Sequence, residues 1–324
     1  TRRYTANPEA YELYMKGRFL WNLVRPLRLP IAIDYLAQAC RLDPHFALAH
    51  AWLADCYSRL PIASDVPSRE AFPKAKEQIL KALSLDARVA DTHNVLGWIN
   101  FWHDWDWEAS ERAHQRALAL DPQNADAHFG YAHLLSNIGR HDEAIREIDT
   151  AIALDPLSLI MRALRGLFLF QARRFEAAVE QLRPGVELEP DFWVARHIMG
   201  MNYERLGRFE EALSELKAAA ATAEGSTKPQ SVIGYVLART GWTADARRVL
   251  NELRGRAASA YVPPYNMALV HHGLGETSEA IALLERAYDE RDVHMVFLGT
   301  DPKWDDLRGT AAFDALVARM GFGG

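Results

Sequence analysis

Gly-Arg-Phe-Glu-Glu-Ala at 207–212 decides how this chain folds, because the same turn recurs in fixed phase on both sides of it. Gly-Arg-His-Asp-Glu-Ala stands at 139–144, Gly-Trp-Thr-Ala-Asp-Ala at 241–246 and Gly-Glu-Thr-Ser-Glu-Ala at 275–280. Arg-Arg-Phe-Glu-Ala-Ala at 173–178 lacks the glycine but keeps the register. Ala144, Ala178, Ala212, Ala246 and Ala280 each follow the last by 34 positions. Repeats of that length, each made of two helices and a turn, predict an all-α solenoid.

One unit shows the mechanism. In 125–156, His128, Tyr131, Ala132 and Leu135 mark one face of a first helix at i, i+3, i+4, i+7. Gly139, able to take positive φ, ends it. Ala144, Ile148 and Ala151 give the second helix its buried side, small enough for close approach, and Leu154-Asp155-Pro156 closes the unit. A single hairpin cannot bury its apolar face, so neighbours must stack.

The turns and the Leu-Asp-Pro closures at 42–44, 120–122 and 154–156, with Leu-Glu-Pro at 188–190, resemble those of tetratricopeptide-repeat proteins. The resemblance covers nearly the whole chain and implies a right-handed superhelical solenoid of about eight repeats that binds proteins and does no chemistry. Asn-Pro-Glu-Ala-Tyr-Glu-Leu-Tyr at 7–14, Asp-Trp-Asp-Trp-Glu-Ala at 104–109 and Val-Phe-Leu-Gly-Thr-Asp-Pro-Lys-Trp-Asp-Asp-Leu-Arg at 296–308 further resemble the repeat region of bacterial multidomain regulators. There the array follows a winged-helix, protein-kinase or cyclase domain, so the chain is expected as a scaffold or as the sensory half of such a regulator.

The expected organisation has three parts. Residues 1–124 hold divergent repeats with expanded turns, one around Pro26 and Pro30 and one of about a dozen irregular residues marked by Pro61, Pro67 and Pro73. Residues 125–294 hold five regular units, and 295–324 a capping segment in which Asp301-Pro302 and a short helix with Phe313, Leu316, Val317 and Met320 cover the last apolar face.

Composition narrows the function. A net charge of −6 offers no basic field for phosphate backbones, which argues for protein and against nucleic acid as partner. No apolar run approaches the ~20 residues of a membrane span. Thr1-Arg2-Arg3-Tyr4-Thr5 lacks a signal-peptide core. The expected compartment is the cytoplasm, or the periplasm if an upstream span has been removed. Cys40 and Cys56 are read as two small buried hydrophobes, with a disulfide as the alternative. No cofactor fingerprint is present, and the histidines show no metal-ligand spacing: His271 and His272 point apart on a helix, and His128 and His133 are five apart.

The binding surface is expected on the inner side of the first helices. If positions 4, 7, 8 and 11 of each unit meet the second helix, positions 2, 5, 9 and 12 line a concave groove. That side carries Trp98, Phe129, His133, His197, Met201, Tyr235, Arg239 and Tyr265, apolar and aromatic with few charges. These residues are expected as a stripe open to a protein or peptide partner. Some tetratricopeptide proteins clamp chaperone C-termini with a lysine at position 5. Here that position holds Asn94, Phe129, Ala163, His197, Ser231 and Tyr265, so the clamp is not expected. The run from Trp98 through Phe101, Trp102 and Trp105 to Trp107 reads either as packing of an enlarged turn or as a stacking surface. Arg162 and Arg165 fall at positions that are usually buried.

Overall fold

A computed structural model describes residues 5–22 and 28–322 of the chain, and Pro26 of the first expected turn lies outside them. Among the described residues every regular element is helical. The pairs are α1 (Pro8–Asn22) with α2 (Leu29–Leu42), α3 (Ala47–Ala63) with α4 (Ser68–Leu85), and α5 (Ala90–Ile99) with α6 (Trp107–Leu120). The regular units give α7 (Ala125–Asn137) and α8 (His141–Leu154), α9 (Leu159–Gln171) and α10 (Phe175–Leu188), then α11 (Trp193–Arg205) and α12 (Phe209–Thr222). They end with α13 (Lys228–Arg239) and α14 (Thr243–Ala257), and α15 (Pro264–Gly273) and α16 (Thr277–Asp289). A short α17 (Ala311–Arg319) follows two 3-10 turns, Val293–Phe297 and Pro302–Leu307.

The repeated turn is one hydrogen-bonded motif. Gly139, Gly207, Gly241 and Gly275 have φ of +85°, +73°, +85° and +75°. The next residue's N–H reaches back five positions, as in Arg208 N–H to Tyr203 O at 2.9 Å and Trp242 N–H to Leu237 O at 2.8 Å. This left-handed cap satisfies carbonyls that the helix end would orphan. Arg173 occupies the glycine's place with φ +60°, and Trp105, 34 positions before Gly139, with +57°. A side chain there is strained, and Arg173 keeps it by pairing with Asp305 at 2.8 Å. Gly207→Ala is therefore expected to cost about 1 kcal/mol, and urea denaturation would show it as a lower midpoint with unchanged slope.

Three proline expectations are corrected. Pro30 lies in the first turn of α2, where a missing N–H costs nothing, and not in a loop. Pro61 sits inside α3 and Pro73 inside α4, so only 64–67 separate the helices instead of a dozen residues. Burial outweighs the lost backbone bonds: α3 and α4 pack along their lengths, with Phe72, Ala75 and Ile79 fully enclosed. In the third hairpin a π-helical turn, Asn100–Asp104, extends α5. Phe101, Trp102 and Trp105 are buried around that turn, in keeping with the packing alternative.

The chain divides by compactness into two units inside α7, between Leu134 and Leu135, whereas the sequence sets residues 1–124 apart by their expanded turns. The first unit packs Tyr14, Leu36, Phe46, Trp52 and both cysteines in one core. Cys40 and Cys56 are free thiols, and burial pushes Cys40 up to about 12 and Cys56 well above its ordinary value. They behave as small hydrophobes. In the second unit, close packing depends on absent Cβ atoms. One added at Gly200 would lie 2.6 Å from Leu216 Cγ, and one at Gly166 would lie 2.7 Å from Leu182 Cγ. Arg162 and Arg165 do not enter this core: Arg162 turns outward to Pro156 O, and Arg165 pairs with Asp149 at 2.6 Å. At the chain end Phe313, Leu316 and Met320 are buried, α17 lies on α16, and Arg319 pairs with Glu285.

Candidate functional site

In the first unit, the inner-face residues Trp98, Phe129 and His133 converge in one aromatic cluster. Trp98 meets Phe129 and His133 edge-on, each at 5.4 Å between ring centres, and is flanked by Phe101 and Trp102. All three expected residues are buried. His114 from α6 sits beneath them between Gly97 and Gly130, where any Cβ would collide with its ring. Its Nδ1 lies 3.0 Å from Asn94 Oδ1, and its Nε2 has no partner.

Beside this cluster runs a small polar cleft lined by Trp21, Trp52, Asp55, Arg59, Asp91 and Asp126. Arg59 bonds Asp55 at 2.9 Å and lies over the Trp21 ring at 4.4 Å. Asp91 accepts from Asn124 Nδ2 at 2.8 Å. Burial pushes Asp126 up to about 6, with Arg59 opposing the shift. Asp55 and Arg59, on α3, lie outside the periodic units in which positions were counted, which is why they were missed.

Burial drives His114 down to about 3, with His133 adding to the effect. Its folded value is thus below the ordinary 6.5, so its contribution is intact above pH 6.5 and falls as pH drops toward 3. Asp126 has the opposite sign, because its raised folded value makes acid favour the folded form below about pH 6. At pH 5 the His114 loss is about 2 kcal/mol and the Asp126 gain roughly 1 kcal/mol. Asp126→Asn removes that gain. The variant is expected to lose more stability than the parent between pH 7 and pH 5 in urea titrations; equal losses would exclude it.

In the second unit His197, Met201, Tyr235, Arg239 and Tyr265 do share one face, but it is not open. The segment after α16, expected as part of the terminal cap, lies against it. Trp304 is fully buried, with Nε1–H donating to Tyr265 Oη at 2.6 Å. Its ring stacks on His272 at 5.2 Å, and His272 stacks on Tyr235 at 5.8 Å. Lys303 Nζ is 2.6 Å from Asp301, 3.3 Å from Met201 Sδ and 5.1 Å from the centre of the Phe170 ring. Asp305 pairs with Arg173 and Asp306 with Arg239, the latter at 2.6 Å. Gln171 donates to Thr300 Oγ1 and Asn137 Oδ1, each at 2.9 Å.

The expected open stripe is therefore corrected to an enclosed one: Tyr235 is 0% exposed, and Met201 and Tyr265 each 4%. Apolar side chains facing water are an energetic liability, and residues 300–308 cover them. Arg239 alone stays exposed, at the rim. His197 is held well below its usual value by burial and by Lys303 and Lys228. Sequence reasoning missed Glu204, which stands at position 12 of its unit. Glu204 is 5% exposed, its Oε2 has no hydrogen-bond partner, and burial raises its carboxyl. Counting position 12 in every unit would have found it.

The comparisons agree with this architecture. A family model described as tetratricopeptide repeat matches residues 106–167. The transcriptional regulator HilA of Salmonella typhimurium is 28% identical over 144 residues, a match covering 44% of this chain and 26% of the regulator. Among solved structures, the Cut9–Hcn1 hetero-tetramer of the APC/C superposes with a TM-score of 0.62 at 16% identity, over 95% of this chain and 55% of that one. Yeast Tom70 gives 0.55 at 16% identity, over 99% and 69% respectively. The two structures speak for the fold alone.

Proposed function

Since the chain is a tetratricopeptide-repeat protein whose array is similar to part of a bacterial transcriptional regulator, we propose that its work is protein recognition on the inner face of its helix pairs. The surfaces are the polar cleft beside the buried Trp98, Phe129 and His133 in the first unit and, beneath residues 300–308, the face of His197, Met201, Tyr235, Arg239 and Tyr265 in the second. One observation carries the reading: in the second unit the inner face already holds a 3-10 stretch of chain through Tyr265 and Met201, at positions 5 and 9 of their repeats, and through Arg239 at position 13. Short segments recognised by side-chain pockets are a recurring mode of peptide binding. The net charge of −6 favours protein over nucleic acid. The reading is of a binding protein and not an enzyme.

A photo-crosslinking amino acid at Asp91 or Asp126, which line the cleft, is expected to give discrete adducts with partner proteins. The same probe at the exposed Glu108 is expected to give none. Equal labelling from both faces would remove the assignment.

The partial likeness to HilA supports a second reading, in which the array is the sensory half of a regulator and passes ligand binding to an effector domain. A small molecule that raises the melting temperature of the parent but not of Asp126→Ala would favour it over the scaffold.

A further inference from the structure

We propose that the inner face of the second unit is a docking site for a partner segment carrying a lysine, an aromatic residue and two acids in succession, and that residues 301–306 occupy this site in cis until such a segment competes. The inference rests on the recognition role assigned above and names the class of partner.

Four side chains of Asp-Pro-Lys-Trp-Asp-Asp, from Lys303 to Asp306, each have their own receptor. The Lys303 ammonium lies against Met201 Sδ and over the Phe170 ring. The indole is gripped by Tyr265 and His272. The two acids meet Arg173 and Arg239 at the rim. A stretch that served only to fill the face would be apolar, because burying Lys303 and Asp301 costs desolvation that a hydrophobic pair would not incur. Charge and ring are read separately, as a ligand is read.

The face also has more to offer than 301–306 uses. Glu204 Oε2 is enclosed without a hydrogen bond, its ion pair with Arg205 Nε long at 3.8 Å, and His197 Nδ1 on the same helix has no hydrogen-bond partner. The segment itself is built to leave. It is a 3-10 turn and not part of a helix ladder, it lies between Gly299 and Gly309 (φ +83°), and its acid pairs stay partly exposed, where salt screens them. The terminal helix α17 also packs on α16 and pairs Arg319 with Glu285, so 300–308 can lift while the chain end stays docked.

The test uses the full chain and a labelled peptide of sequence 298–308. In the parent the tethered segment competes at ~mM effective concentration, so anisotropy should show only weak binding. Trp304→Ala empties the indole pocket in cis. The peptide is then expected to bind at least about 10-fold more tightly than to the parent and to raise the melting temperature, whereas a peptide with alanine for the tryptophan does neither. Asp305→Asn with Asp306→Asn, which leaves the buried contacts intact, guards against a Trp304→Ala chain that does not fold; it too should bind the peptide more tightly than the parent, and less so in high salt.

Helical, folded variants that take up no peptide overturn the proposal. Chains that instead form dimers with exchanged C-terminal segments, and still refuse the free peptide, assign the face to a second copy and overturn it as well. Either failure accompanied by crosslinks from Asp91 or Asp126 leaves the recognition role standing and removes only this partner class.

Discussion

Trp304→Ala lowers the stability of the second unit by about 3–5 kcal/mol, the range for emptying a fully buried aromatic site. The indole is enclosed by Tyr265, His272 and Phe313, from α15 and α17. Its removal leaves a cavity that rigid helices cannot close. It also strips the Tyr265 hydroxyl of a 2.6 Å donor inside the protein, where an unmet polar group is costly. For a unit of this size such a loss shifts the thermal midpoint by roughly 10 °C. Circular dichroism melting at 222 nm reads it. A shift of a degree or two would mean that 300–308 lies loosely on the face and that the stacking ladder contributes little.

Tyr235→Ala is expected to cost a similar ~3–5 kcal/mol, the reverse of what an open binding stripe would give. Tyr235 is 0% exposed, stacked on His272 and within 3.5 Å of Lys303 O through its hydroxyl. Tyr235→Phe separates ring from hydroxyl: that long hydrogen bond is weak, so the loss should stay below about 1 kcal/mol. Tyr235 and Trp304 share His272, so their double alanine variant should fall short of the sum of the single losses. Strict additivity in denaturant titrations would show that the ladder is not a cooperative unit.

The helix pairs were legible in the sequence because their causes are local. A glycine able to take positive φ, a proline after the last turn and an apolar face at helical spacing act within a few residues of themselves. Arg173 and Trp105 show how strong that register is: each takes the left-handed cap although neither is glycine. The prolines misled for a related reason. Pro61 and Pro73 read locally as breaks, yet the apolar length of α3 against α4 outweighs two missing backbone bonds.

The face of the first helices was also determined by sequence within each compact unit, since position in the 34-residue repeat groups Trp98 with Phe129 in the first and His197, Met201, Tyr235 and Tyr265 in the second. What covers that side was not. Residues 300–308 belong to no repeat, and their place against Met201, Tyr265 and Arg239 depends on contacts between positions up to 132 apart, such as Arg173 with Asp305. Periodicity reports the shape of one unit, whereas the fit of a Lys303–Trp304 pair between Phe170, Met201, Tyr265 and His272 exists only once three helices have stacked and brought those side chains together.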